Sequence, residues 1–385
     1  MSRLIYLVAG EPSGDRLGAD LMRGLIAEDP GIRFAGLGGI EMRAAGLEPF
    51  FDIAELSVMG LVEVLPRLPS LLRRMSQVTE DVLAKRPDAL VTIDSPSFSL
   101  RVAERVRKAE PEIRTIHYVA PSVWAWRPGR AKQMAAYIDH VLALLPFEPP
   151  YMEAAGMTCE FVGHPVAARP LPSAEAIDRQ RREWTQGADL ACLLLAPGSR
   201  KGEVRRLMPL YRDILQRLQD EAVDCLPVIP VAETVRAEVQ GAAKLLPSQP
   251  AFIFPETGED AKQLAFAAAD AALVASGTIT LEMAAARTPM VAVYRTNWLT
   301  AQIVRRIVKV DTANLINLVA EGHPVPEFLQ EFATIDAVAS ALIPLLQDGD
   351  AGAIQCAAFE QVMEELGGGE GGPAGRAARS VLAQL

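Results

Sequence analysis

The chain has 385 residues, half of them hydrophobic and 22% charged, which excludes a disordered chain and is too long for one ordinary core. Its formal net charge of −10 argues against general nucleic-acid binding, which rewards clustered Lys and Arg, but still allows a small phosphate held by backbone amides and one or two Arg. The four cysteines, Cys159, Cys192, Cys225 and Cys356, are scattered without a CxxC pair, so neither a metal site nor a disulfide framework is signalled, and the reduced thiols of a cytoplasmic protein are expected.

Residues 1–9 lack the basic region and cleavage site of a signal peptide. No apolar run approaches the ~20 residues of a membrane-spanning helix, so any membrane role is expected to be peripheral. Short apolar runs alternate with helical patterns. The first half holds expected strands Leu4–Ala9, Arg33–Leu37, Ala89–Ile93, Arg114–Val119, Val141–Leu145 and Cys159–Val162. After the linker-like Pro165–Pro172, the alternation restarts with Cys192–Leu195, Leu226–Val231, Ala251–Phe254, Ala271–Val274 and Met290–Val293. Strands that are apolar throughout and spaced by helices are buried on both faces, the pattern of parallel sheets with crossover helices.

Two such sets predict an α/β chain of two Rossmann-like parallel-sheet domains facing a cleft, residues 1–166 and 173–345. A helical tail over 346–385, with a flexible Gly367–Gly375 segment, then packs back on the first domain or on a partner subunit; the second option leaves a homodimer open. Ligands of open parallel sheets bind beyond the carboxyl ends of the strands. Chemistry is therefore sought just after each strand.

The first strand runs into Gly10-Glu11-Pro12-Ser13-Gly14-Asp15, where Ser13 and Asp15 can cap the next helix. A ligand loop and a plain capped turn both fit. No Gly-Lys-Ser/Thr follows, so this is not a Walker loop, and Gly36-Leu37-Gly38-Gly39 fails the dinucleotide spacing at Glu41. Ser57–Leu72 sets Leu61, Leu65 and their apolar neighbours beside Arg67, Arg73 and Arg74. It reads as a membrane-facing or acyl-binding patch, or as a core helix broken at Pro66 and Pro69.

The third strand ends at Asp94, where a base is useful; a helix N-cap or loop brace is the alternative. Asp88 begins that strand roughly 20 Å away, at ~3.3 Å per residue, too far to share a reaction centre. The fourth strand opens into the aromatic run His117–Arg127, in which Trp124 and Trp126 line a sugar or acyl pocket or plug a core. A lone His117 is more often a structural hydrogen-bonder than a base.

In the second half, Pro197-Gly198-Ser199-Arg200 follows a strand and opens a helix; exposed amides plus Arg200 suit a diphosphate, against a capped turn with a surface Arg. Ser276-Gly277-Thr278 repeats the arrangement with backbone and hydroxyl donors, and Glu282, one helical turn on, is placed to accept from ribose hydroxyls. Two anion sites with a nearby acid fit a nucleoside diphosphate.

Together these segments resemble the lipid-A-disaccharide synthase family. The matching stretches are Ala9–Asp15, Glu55–Val64, Ile93–Pro96, His117–Trp126, Pro146-Phe147-Glu148, Phe161–Pro165, Pro197–Arg200, Ser276–Glu282, Asn317-Leu318 and Pro326–Gln330, in the expected order. The resemblance implies a GT-B-type glycosyltransferase that joins UDP-2,3-diacylglucosamine to 2,3-diacylglucosamine 1-phosphate through a β-1,6 bond, releasing UDP. It implies no cofactor and no metal, and a place on the cytoplasmic face of the inner membrane.

Carried over, the resemblance puts UDP near Gly198, Ser199, Arg200, Ser276, Gly277, Thr278, Glu282 and Asn317. The acceptor falls near Glu11, Ser13, Trp124 and Trp126, with Asp94, Arg200, His117 and Asp15 as catalytic candidates. Ser97 stands where the family usually has a second acid, Ala120 where Ser is usual and Ala168 where Asp is common. Serine at its normal pKa is no general base, so Ser97 keeps open a catalytically silent UDP- or precursor-binding protein. A related UDP-sugar transferase or epimerase is the other alternative.

Overall fold

The computed structural model describes residues 3–53, 56, 61–126, 129–297, 310–347, 349–367 and 371–385, and the side chains of 61–68 lie outside that description. The chain divides into two compact units, Met1–Ala168 with Leu366–Leu385, and Arg169–Glu365.

The first unit is built on strands β1 (Leu4–Ala9), β2 (Arg33–Leu37), β3 (Ala89–Ile93), β4 (Arg114–Tyr118), β5 (His140–Ala143) and β6 (Thr158–Phe161), in the order β2-β1-β3-β4-β5-β6. Every pairing is parallel. The inner strands β1, β3, β4 and β5 are buried almost throughout because helices cover both faces. Those helices are α1 (Pro12–Glu28), α2 (Ile40–Ala44), α3 (Leu61–Lys85), α4 (Ser99–Ala109), α5 (Gly129–Met134) and α6 (Pro149–Glu153).

The second unit holds β7 (Ala191–Ala196), β8 (Cys225–Pro230), β9 (Ala251–Ile253), β10 (Ala271–Ala275), β11 (Met290–Tyr294) and β12 (Glu327–Leu329), in the order β12-β11-β10-β7-β8-β9, again all parallel. Around it lie α7 (Ala174–Thr185), α8 (Lys201–Asp220), α9 (Arg236–Ala243), α10 (Gly258–Ala267), α11 (Ile279–Ala285), α12 (Leu315–Val319), α13 (Ile335–Gln347) and α14 (Gly349–Gly367). The last helix, α15 (Gly372–Leu382), belongs to the first unit. Its Ala377, Ala378 and Val381 are fully buried in the core that also holds Leu21 and Leu25 of α1. Polar ties reinforce the seat: Ser380 Oγ lies 2.8 Å from His140 Nε2, and Arg379 donates to Glu28 at 3.0 Å.

Each sheet has one point where the strand order reverses: between β1 and β3 in the first, and between β7 and β10 in the second. There the loops leaving two neighbouring strands part to opposite faces and open a crevice.

The expected strands are present, with ends differing by a residue or two. Three expectations change. The strand β12 was not foreseen. The helix α3 runs without a break past Pro69; its later turns bury Met75, Val78 and Val82, which offsets the lost hydrogen bond of proline. Residues Pro165–Ala168 of the expected linker form a turn of 3-10 helix. The stretch Val58–Leu72 lies largely outside the described residues, as do part of Glu55–Val64 and Arg127 of the aromatic run. Among the described residues, no helix is long and apolar enough to cross a membrane.

Candidate functional site

In the first unit, the β1/β3 reversal brings Gly10 and Glu11 beside Asp94 and Ser95. Asp94 leaves β3 at φ 47° and Ser95 follows at φ 43°, conformations that cost a non-glycine residue of order 1–3 kcal/mol. The strain is held from both sides. The Asp94 N–H donates to Tyr118 O at 3.0 Å, and the Asp94 carbonyl accepts from Ser99 Oγ. The Asp94 carboxylate accepts from Ser13 Oγ at 3.3 Å. Burial, then the charge of Asp94, push the Glu11 carboxyl above its usual range, and a hydrogen bond with Ser95 pulls it partly back. Two acids thus share one rim, and one of them holds its proton more tightly. Ser97 is exposed on the turn that follows.

Beyond β4, Val119 turns at φ 83°, rare for a β-branched residue, and ends the strand one residue earlier than expected. The chain then reaches Trp124, whose indole N–H donates to Glu148 Oε1 at 3.3 Å and whose ring meets Phe147 edge-on at 5.2 Å. The other Glu148 oxygen accepts from the N–H groups of Leu144 and Leu145 at 3.1 and 3.0 Å. Glu148 is 3% exposed, and burial pushes its carboxyl up to about 7 against the pull of these three bonds. Trp126 is 43% exposed.

Two catalytic candidates of this unit have other work. His117 is buried inside β4 with Nδ1 2.9 Å from Thr92 Oγ1, and burial lowers its pKa to about 3. It is a neutral brace between β3 and β4, away from the rim. Asp15 is buried and accepts from the N–H groups of Gly39, Glu41 and Met42 at 2.6, 3.0 and 3.1 Å, which fixes the start of α2.

In the second unit, the β7/β10 reversal opens a cavity of about 630 Å³. Gly198, Ser199, Arg200, Ser276, Gly277, Thr278 and Glu282 all line it. The turns rely on glycine: Gly198 sits at φ 96° and Gly277 at φ 155°. A Cβ on Gly198 would come within 2.3 Å of Glu203 Oε2. Arg200 precedes α8, its side chain 75% exposed and donating to Glu203 Oε1 at 3.0 Å.

Glu282 accepts from Lys262 Nζ at 2.9 and 3.0 Å, and Arg169 stands 3.6 Å away. Lys262 and Arg169 also approach Glu259, at 3.4 and 3.2 Å. An apolar wall is formed by Val231, Ala232, Ile253, Phe254 and Phe266. Phe254 is stacked on Phe252 and capped by the Arg236 guanidinium 4.9 Å from its ring centre. A cavity with amide-bearing turns, an exposed Arg at the mouth and an acid one turn inside can take an anion joined to a polyol and a flat ring.

Two expectations for this half are corrected. Asn317 is buried and exchanges both amide hydrogen bonds with the Val325 backbone, at 2.9 and 3.0 Å, so it braces a loop and does not line the cavity. Ser276 has no free donor: its N–H goes to Val293 O at 3.0 Å and its hydroxyl to Glu327 Oε1 at 2.7 Å. Lys262, Glu259, Phe254 and Glu148 were not foreseen as site residues. Of these, Glu148 falls in the matching stretch Pro146–Glu148 and Phe254 ends an expected strand, whereas Lys262 and Glu259 carry no sequence signal.

The family model described as lipid-A-disaccharide synthetase matches residues 5–373. The chain is 50% identical to the lipid-A-disaccharide synthase of Ruegeria pomeroyi over 99% of its length and 95% of the relative's. It is 44% identical to that of Rhodospirillum centenum over 98% and 94%. Among solved structures it resembles the S. aureus MnaA–UDP co-structure (TM-score 0.63, 14% identity, 99% and 95% covered). It also resembles the glycotransferase of kitacinnamycin (TM-score 0.59, 16% identity, 100% of both chains). Likeness at such low identity speaks for the fold, which is GT-B-like: two parallel α/β sheets, each with its own carboxyl-end crevice.

Proposed function

Because the chain belongs to the lipid-A-disaccharide synthetase family, we infer that it is a hexosyltransferase joining UDP-2,3-diacylglucosamine to 2,3-diacylglucosamine 1-phosphate and releasing UDP. The observation that carries the assignment of parts is the second-unit cavity, where the Gly198–Arg200 and Gly277–Thr278 turns converge beside Glu282.

UDP occupies this cavity. The diphosphate lies against the start of α8, where unpaired N–H groups and the helix dipole favour an anion. Arg200 leaves Glu203 to grip it, an exchange that its exposure permits. Glu282 accepts from the ribose hydroxyls, with Lys262 and Arg169 offsetting its charge so that it does not repel the diphosphate. The uracil packs on the apolar wall near Phe254.

The first unit takes the acceptor. Forming a β bond from an α-linked donor inverts the anomeric carbon, so one base must receive the proton of the acceptor 6-hydroxyl as its oxygen attacks. Asp94 is that base. The new bond runs from O6 to the anomeric carbon, the old carbon–oxygen bond breaks, and its electron pair leaves on the UDP diphosphate, stabilised by Arg200. Glu11, whose carboxyl burial and Asp94 push above its usual range, lies beside it on the rim that faces the sugar. The strained Asp94–Ser95 turn pre-aims the carboxylate.

The acylated substrates and the apolar stretch Val58–Leu72 support action at the inner face of the inner membrane without spanning it. Binding of the protein to phospholipid vesicles, weakened by Leu61→Ser with Leu65→Ser, tests that part. Incubation with both substrates, watched for UDP and disaccharide, tests the reaction. UDP release without disaccharide would point to a hydrolase or epimerase, and no turnover with retained UDP binding to a silent binding protein.

A further inference from the structure

The Pro326–Gln330 stretch, which the reaction leaves unused, supplies β12, and the carboxylate of Glu327 on that strand collects three donors. Ser276 Oγ donates to Oε1 at 2.7 Å; Thr312 Oγ1 and the Ala313 N–H donate to Oε2 at 2.6 and 3.0 Å. A carboxylate only accepts, so the Ser276 proton is spent on it. The Ser276 N–H is spent on Val293 O at 3.0 Å. What Ser276 turns towards the cavity is therefore oxygen lone pairs alone.

We propose that Glu327 is a positioning residue that fixes the polarity of Ser276, making its hydroxyl a specificity element that reads an N–H or O–H of the transferred sugar and not the diphosphate. The proposal rests on the cavity being the sugar-nucleotide site. Phosphate oxygens at neutral pH are acceptors, and an acceptor facing them gains nothing. A sugar bearing hydroxyls and an acylated amine offers the hydrogen that Ser276 lacks. Glu327 thus lets one turn serve two chemistries, anion at Gly277 and Thr278, hydrogen-bond donor at Ser276.

Glu327→Gln reverses the polarity in a forced way. The N–H of Ala313 cannot turn, so it claims the single side-chain oxygen of the glutamine. The NH2 then faces Ser276, whose oxygen must accept and whose proton swings into the cavity. Titration calorimetry with UDP and with a short-chain UDP-2,3-diacylglucosamine reads the difference. Ser276→Ala, which leaves Thr312 and Ala313 on Glu327, is expected to weaken the sugar nucleotide about threefold to tenfold, the range for one hydrogen bond, and to leave UDP unchanged. Glu327→Gln is expected to weaken the sugar nucleotide at least as much while UDP binds as well or better, and to have no further effect on top of Ser276→Ala. Equal losses on UDP and on the sugar nucleotide, or a Glu327→Gln effect that survives in Ser276→Ala, overturn the proposal. If Glu327→Gln fails to fold, Ser276→Ala alone decides. A wild-type protein that binds neither ligand overturns instead the reading of the cavity.

Discussion

The two strand-order reversals carry the same loop architecture with opposite electrostatics. At the second, every acid on the cavity wall is matched: Glu203 by Arg200, Glu259 and Glu282 by Lys262 and Arg169. In the first unit, Glu11 and Asp94 at the reversal and Glu148 beyond β5 have no cation within ion-pair reach among the described residues; Glu11 and Glu148 have raised pKa values. The backbone divides the same way. At the cavity turns of the second unit positive φ falls on Gly198 and Gly277, at no steric cost; just beyond β3 and β4 of the first it falls on Asp94, Ser95 and Val119. In the first unit the environment pushes the Glu11 and Glu148 carboxyls up from their usual range, as at sites that exchange protons.

Asp94→Asn breaks that contrast most severely. It keeps size and removes basicity, so turnover is expected to fall about 10²–10⁴-fold while UDP affinity by calorimetry stays the same. A near-normal rate would remove Asp94 from the mechanism and make Glu11→Gln the next test. Ser97→Asp sharpens the point: a modest change leaves Asp94 as the base, whereas a gain of orders of magnitude means that the site lacks one.

Glu148 tests the first unit through stability. Its carboxyl titrates near 4.5 when unfolded and at about 7 when folded, so between those values the folded state binds the extra proton. Stability from this group is full below pH 4.5 and is lost as pH rises through 7, by about 3 kcal/mol at most from a shift of that size. The unfolding free energy of wild type minus that of Glu148→Gln, measured by denaturant titration from pH 4.5 to 8, should fall across this window. A difference independent of pH would mean that Glu148 is not an uncompensated acid.

In the matched unit the effects should appear in binding. Arg200→Ala is expected to weaken UDP roughly tenfold to a hundredfold, as for a charge-assisted bond, and Arg200→Lys to recover only part because it loses the planar fork. Unchanged affinity would mean that Arg200 stays on Glu203. Lys262→Met should be the mildest, a loss of about twofold to fivefold, since Arg169 remains to neutralise Glu282. A larger loss would make Lys262 a direct ligand of UDP.

The sequence makes strand-end chemistry legible and buried polar chemistry illegible. Arg200 and Glu282 can be found because a strand, a small-residue turn and a helix start leave a linear signature. His117, which the chain already reads more readily as a structural hydrogen-bonder than as a base, Asp15 and Asn317 do not show their partners in the sequence. Only burial and partners reveal that each braces backbone, and burial is set by neighbours distant in sequence. Lys262 was hidden because it reaches the cavity from the side of α10. The strand β12 escaped because three residues beginning Glu327, just after Pro326, make no apolar run.

The seat of α15 also dictates an order of manufacture. Residues up to Ala168 leave the ribosome first, yet the face that receives Ala377, Ala378 and Val381 stays open until the far end of the chain emerges. At about 5–20 residues per second, the roughly 200 intervening residues impose a wait of roughly 10–40 s. Throughout it the nascent first unit exposes apolar surface near Leu21 and Leu25, while the second unit, one uninterrupted segment, is completed before it. A stop codon just before α15 would leave the segment of the second unit whole and the earlier-made first unit unfinished, a natural client for chaperones.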